Sequence, residues 1–168
     1  KIIDCSWHMP QTKRNGFEEY KVQHIPNAIF FNLDDNSKKD TDLPHMLVDI
    51  NSWEKIVSKM GIKKNDKIII YDNSDIISSC RCWFNFIYFG HDPNLVHVLN
   101  GGLKKWIKEK KEITNNFPTI HMSAYKSFEN KSLVKNKEFI DQNINLQKFK
   151  VIDARSNERF QGKVPEPR

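Results

Sequence analysis

Cysteine is scarce in these 168 residues: Cys5, Cys80 and Cys82 are the only three. An odd and small number argues against a disulfide framework and for a reducing compartment, so a cytoplasmic location is expected, or a mitochondrial one in a eukaryote. No apolar run approaches the roughly 18 residues of a membrane span, and no membrane partner is expected. Arginine is nearly as scarce, five against 22 lysines, so the net charge of +6 rests on lysines scattered along the chain. They lack an aromatic-interleaved stripe and read as solvated surface, able to attract anionic substrates, and not as a nucleic-acid interface. No His, Cys or Asp spacing suits a metal, and no cofactor is expected. None of the cysteines has an arginine six positions on, which sets aside the Cys-x5-Arg phosphatase pattern. No secretory leader is visible, but Lys1 opens on a strand-like run without an initiator Met, so targeting is not legible from this end.

What is present is apolar mass in a regular order. Hydrophobic residues make up 38% of the chain, with four Trp and eleven Phe, enough to support a core despite a mean hydropathy of -0.66. Apolar, β-branched runs at Ile2-Ile3, Ala28 to Phe31, Ile68 to Tyr71 and Leu95 to Leu99 predict short buried strands. Helical patterns run from Ser52 to Met60, Ser78 to Phe89 and Leu103 to Lys110, with Gly61 and Gly90 placed as C-caps. Strands alternating with helices predict an α/β fold, a central and mostly parallel sheet flanked by helices.

The texture changes after residue 111. Asn115, Asn116 and Pro118 stand in a stretch without a period, which reads as an interdomain linker over residues 112–134. Beyond it Lys135 to Asn143 predicts a short helix, and Lys150-Val151-Ile152-Asp153 then repeats Lys1-Ile2-Ile3-Asp4 at an offset of 149 residues. One domain length is the offset a duplication would give. Residues 1–111 read as one complete copy and residues 135–168 as the truncated beginning of a second, in a protein of roughly 300 residues.

The segments "IIDCSWHMP", "HIPNAIFFNLDD", "LPHM", "IIIYDNSD", "SSCRCWFNFIYFGHD", "VLNGGLKKW" and "VIDARSNERFQGKVPEPR" occur in order along the chain. Together they resemble the two-domain sulfurtransferases of the rhodanese superfamily, and within them the 3-mercaptopyruvate sulfurtransferases. Asn27 stands where the family usually has Gly in a "HIPGA" turn; Asn also tolerates the left-handed conformation. The resemblance implies a nucleophilic cysteine at the end of a central strand, in a loop whose amides surround its sulfur. The corresponding residue here is Asp72, directly after Ile68 to Tyr71. A carboxylate cannot carry a persulfide, so residues 1–111 resemble the catalytically silent copy, with the nucleophilic Cys outside this chain. Cys80 and Cys82 fall too late, in the following helix, and with Cys5 they read as small residues in or near the core.

The resemblance also implies that Arg159 and Arg168, nine residues apart, bind the carboxylate and carbonyl of 3-mercaptopyruvate, because a guanidinium offers paired donors that Lys cannot reproduce. Asp34 and His45 would form a triad with a serine of the second domain's active loop and assist proton transfer, Asp34 fixing the imidazole tautomer. His24 and His91 are expected to make structural hydrogen bonds in turns, Arg81 a fold-stabilising ion pair, and the four tryptophans core or interdomain contacts. The implied activity is transfer of sulfur from a small donor, 3-mercaptopyruvate, to a thiol acceptor such as thioredoxin or to cyanide, with release of pyruvate. A thiosulfate sulfurtransferase and a non-catalytic rhodanese-like binding or regulatory module are the alternatives, and this chain alone is expected to be inactive.

Overall fold

Residues 1–166 are described by the structure, a computed structural model, and Arg168 lies outside the described residues. Their contacts divide the chain into two units, Lys1–Leu133 and the residues from Val134 on. The first unit is built on four parallel strands, β1 (Ile2–Asp4), β2 (Ala28–Phe30), β3 (Ile68–Tyr71) and β4 (Val96–Val98), in the order β2-β1-β3-β4. Four helices connect and flank them: α1 (Gly16–Val22), α2 (Ile50–Lys59), α3 (Ser79–Tyr88) and α4 (Gly102–Lys108).

Alternation of side chains across a strand assigns the two faces of the sheet. Ile3 lies between Ile29 and Ile70 in register, and all three pack with Trp53 and Val57 of α2 and Cys82 and Phe86 of α3. Ala28 and Tyr71 face the opposite layer, with Tyr20 of α1 and Leu103 of α4. Trp53 anchors the larger core, fully buried and stacked on Phe89 at 4.8 Å between ring centres.

Helix α1 is the element that periodicity misses. Its signal is local: the Asn15 side chain accepts from the amides of Phe17 and Glu18, with Glu18 and Glu19 in the first turn, favourable to the helix dipole. Asn27 adopts φ 64°, the left-handed turn that its position in "HIPNA" predicts.

Residues 112–133 carry little secondary structure but are tied to the first unit along their length. Thr114 exchanges backbone hydrogen bonds with His24, and the Ser123 amide donates to the Ser58 carbonyl. Tyr125 is buried, with its hydroxyl 2.9 Å from His91 Nδ1. His91 Nε2 lies 2.9 Å from the Asp66 carbonyl, an acceptor that fixes the tautomer, and burial lowers the pKa of the ring. Two glycines mark where this strap crosses the helix ends. A Cβ on Gly61 would stand 2.5 Å from the His121 carbonyl oxygen, and one on Gly90 2.5 Å from the Phe128 ring.

The second unit is small. Helix α5 (Lys137–Leu146) is capped by Asn136, and Asn143 brackets the backbone of Phe149 through both ends of its amide. Helix α6 (Asn157–Phe160) follows, capped by Ser156. Residues 151–153 form no strand, and Val151 and Ile152 are 61% and 88% exposed.

Candidate active site

Parallel strands deliver the residues that follow them to one edge of the sheet, where open α/β folds place their chemistry. The order β2-β1-β3 therefore brings together three loops: Asp34 lies beyond β2, Trp7 beyond β1, and Asp72 opens the loop after β3.

Asp34 and His45 meet. Asp34 Oδ1 is 2.7 Å from His45 Nε2. An ionised carboxylate only accepts, so Nε2 carries the proton, and among the described residues Nδ1 has no hydrogen-bond partner. Asp34 also receives the indole N–H of Trp7, which spans both carboxylate oxygens at 3.0 and 2.9 Å. The Trp7 ring stands edge-on to the imidazole, 4.8 Å between centres and 89° between planes. His45 adopts φ 57°, and its carbonyl accepts from Arg81 Nη2.

Asp72 occupies its own loop. Its Oδ1 accepts from the Ser74 amide at 3.1 Å and its Oδ2 from the Ser79 amide at 2.7 Å, the first residue of α3. The amides at the start of the loop and of the helix thus already hold an anion, one covalently attached to the chain. The rest of the loop is braced by neighbours. Ser78 Oγ donates to the Cys5 carbonyl, while the Trp7 amide donates to Ser74 Oγ at 2.9 Å and to Ser78 Oγ at 3.2 Å. Arg14 grips Glu19 with two nitrogens and reaches the Asn73 carbonyl at 3.2 Å. Burial works against ionisation of Glu19, but the hydrogen bonds from Arg14 and Asn73 outweigh it and hold the carboxyl below its usual range.

The cysteines separate in a way their spacing does not show. Cys5 and Cys82 are buried as expected, and the hydrogen bond to Cys82 together with burial pushes the Cys5 thiol well up, away from the thiolate that nucleophilic attack needs. Cys80 is exposed, contrary to the core placement expected for it. Ser79, Cys82 and Phe86 take the buried face of α3, and Cys80, a single step further round, faces out. Arg81 is a second correction. Among the described residues it makes no ion pair; its partner is the His45 carbonyl, and burial without a carboxylate lowers its pKa. Trp7 packs against the core as expected for the tryptophans, and its indole N–H also binds the Asp34 carboxylate.

In the second unit Arg159 Nη2 binds Glu166 Oε2, and Arg155 Nη1 binds the other oxygen of the same carboxylate. The guanidinium expected to hold a substrate carboxylate is therefore engaged with a carboxylate of its own chain. Among the described residues no group of three or more His, Cys, Asp or Glu is placed to hold a metal, and no helix is long and apolar enough to cross a membrane.

Residues 1–109 match the rhodanese-like domain family. The chain belongs to that family. This rhodanese-like chain is 34% identical to thiosulfate/3-mercaptopyruvate sulfurtransferase 1, mitochondrial, of Arabidopsis thaliana, over its whole length and 49% of that protein. It is 32% identical to the 3-mercaptopyruvate sulfurtransferase of Mus musculus, again over its whole length and 57% of the relative. The thiosulfate sulfurtransferase of Bos taurus matches equally, 32% identical over 99% of this chain and 56% of that one. The rhodanese-like chain thus spans about half the length of the curated relatives it matches. Among solved structures, SseA of Escherichia coli, described with the 3-mercaptopyruvate sulfotransferases, superposes with a TM-score of 0.89 at 28% identity, over all of this chain and 64% of that one.

Proposed function

We propose that this chain is the silent first domain and the opening of the second domain of a sulfurtransferase acting on 3-mercaptopyruvate. The observation that carries the reading is the 2.7 Å contact of Asp34 with His45 at the sheet edge; the family resemblance assigns the nucleophile position of the loop after β3 to Asp72. Residues 135–168 then open the second copy, and its thiolate, outside this chain, forms the S–S bond to the substrate sulfur. The C–S bond breaks, and its electron pair leaves as the enolate of pyruvate. His45 serves as the proton carrier for that step, its Nδ1 returning to the enolate carbon a proton taken from a thiol. Arg159 and Arg168 orient the substrate carboxylate and carbonyl, with Arg159 exchanging Glu166 for the substrate. The persulfide passes its outer sulfur to a thiol acceptor, a covalent two-step scheme.

Thiosulfate is the alternative donor, since relatives named for both substrates match about equally well. A binding module is favoured by one observation for the isolated chain, the occupation of the loop amides by Asp72. The test is pyruvate release from 3-mercaptopyruvate with a thiol present, comparing this chain with the longer protein that contains it. Release by the longer protein alone supports the scheme. Release by this chain would make Cys80, the exposed thiol, the nucleophile, and absence of release from both would leave thiosulfate as the donor or the binding module, which sulfite release from thiosulfate then separates.

A further inference from the structure

The Asp72 loop has no chemistry in the proposed reaction, yet two neighbouring side chains, those of Trp7 and Arg81, link it to the Asp34–His45 pair. On one side, Ser74 and Ser78 accept the backbone N–H of Trp7 and fix the point from which its indole reaches Asp34. On the other, α3 begins on the Asp72 carboxylate, and two residues into it Arg81 donates to the carbonyl of His45. His45 sits in a left-handed conformation that costs a residue with a Cβ, and it is held at its backbone by Arg81 and at its ring by Asp34 and Trp7.

We infer that the silent loop serves as a brace for the Asp34–His45 pair, with Trp7 and Arg81 as positioning residues that keep the imidazole proton on Nε2 and Nδ1 free. The Asp34 side chain is 61% exposed, so nothing but its partners fixes the plane of its carboxylate. The indole N–H spans both oxygens and sets that plane. Without it water competes for Oδ1, and a neutral imidazole no longer bound there distributes its proton over both nitrogens.

Because this rests on the reading of the pair as a proton carrier, the test is one that needs no turnover. Long-range proton–nitrogen correlation on the nitrogen-15-labelled chain, at about pH 8.5 where an ordinary histidine is neutral, reads the tautomer of His45. The wild type is expected to show one form, protonated at Nε2. Trp7→Phe keeps a ring and removes the donor, and should give a pattern averaged between the two tautomers, with His91 unchanged as an internal reference. Arg81→Met should move the pattern the same way. A pure Nε2–H pattern in a folded Trp7→Phe variant overturns the brace. Should that variant fail to fold, Ser74→Ala with Ser78→Ala removes both acceptors of the Trp7 amide and touches no ring; an unaltered His45 pattern there overturns it equally. A sulfurtransferase assay that fails while these shifts appear would remove the proposed reaction and leave the brace.

Discussion

Lys1-Ile2-Ile3-Asp4 and Lys150-Val151-Ile152-Asp153 are nearly one word written twice, and the chain gives them opposite fates. In the first, Ile3 is fully buried between Ile29 and Ile70, and Asp4 is 1% exposed. In the second, no strand forms among the described residues, and Ile152 is 88% exposed. One local feature survives in both. The amide two residues after the aspartate donates to its Oδ1, Ser6 to Asp4 and Arg155 to Asp153, each at 2.9 Å. A turn closed by a side chain needs only its own residues, whereas a parallel strand needs neighbours contributed by distant parts of the chain. The word specifies the turn alone, and the sheet supplies the strand.

The comparison breaks most readily at the isoleucines. Ile3→Ala opens a cavity in a closed core and should cost about 2–5 kcal/mol in denaturant unfolding. Ile152→Ala in the same chain should fall within about 0.5 kcal/mol of the wild type, as for exposed substitutions. Equal costs would mean that the two words are packed alike. In the longer protein, the proposed second copy would bury residue 152, and the cost of Ile152→Ala should rise toward that of Ile3→Ala; a cost that stays near zero there removes the duplication.

The two units also differ in how they satisfy their charges. Asp72 is buried and held by two amides, so Asp72→Ala leaves both donors without an acceptor and should cost about 1–3 kcal/mol. Asp72→Asn retains one acceptor and should cost less; a neutral Asp72→Ala variant would show that the loop does not depend on its carboxylate. Arg159, by contrast, shares Glu166 with Arg155 near the surface. Its replacement by Lys should leave stability unchanged but, in the longer protein, raise KM for 3-mercaptopyruvate about ten-fold or more, the loss of one hydrogen bond to a charged group. An unchanged KM would take Arg159 out of substrate binding.

Legibility followed the range of the interaction. The run Ile68 to Tyr71 is a strand with the bounds its apolar pattern predicts, and the helix expected from Ser52 begins only two residues earlier, at Ile50. The Asp34–His45 pair was legible only through resemblance, because eleven intervening residues carry no periodic signal. Trp7 and Arg81 were not legible in their observed contacts: an indole N–H and a guanidinium choose partners in three dimensions, Asp34 from another loop and a backbone carbonyl that has no residue type. The strap over 112–133 escaped for the same reason, since hydrogen bonds from backbone amides to Ser58 and Tyr88 leave no pattern in the residues that make them.

The smallest expected effect is also the one that compares the two copies of the word most directly, through their aspartates. Burial raises the pKa of Asp4 in spite of the hydrogen bonds from Ser6, while the hydrogen bonds from Arg155 lower that of Asp153. For a carboxyl with a raised folded value, the native state binds more protons than the unfolded one. Its contribution to stability therefore falls as pH rises through the unfolded value, about 3.9, toward the folded one, and is level above that. For Asp153 the sign reverses: its contribution is present above the unfolded value and is lost as pH falls through the folded one. Asp4→Asn keeps an acceptor for Ser6 and removes the titration, so its stability relative to wild type should climb with pH from about pH 4 until the folded value is passed. As pH rises toward 4, Asp153→Asn should lose ground to the wild type, by less, because the group is exposed and screened. Urea unfolding of both variants across that range checks the pair. Parallel curves would mean that burial of the first word does not govern its charge, and that the two aspartates differ only in their immediate partners.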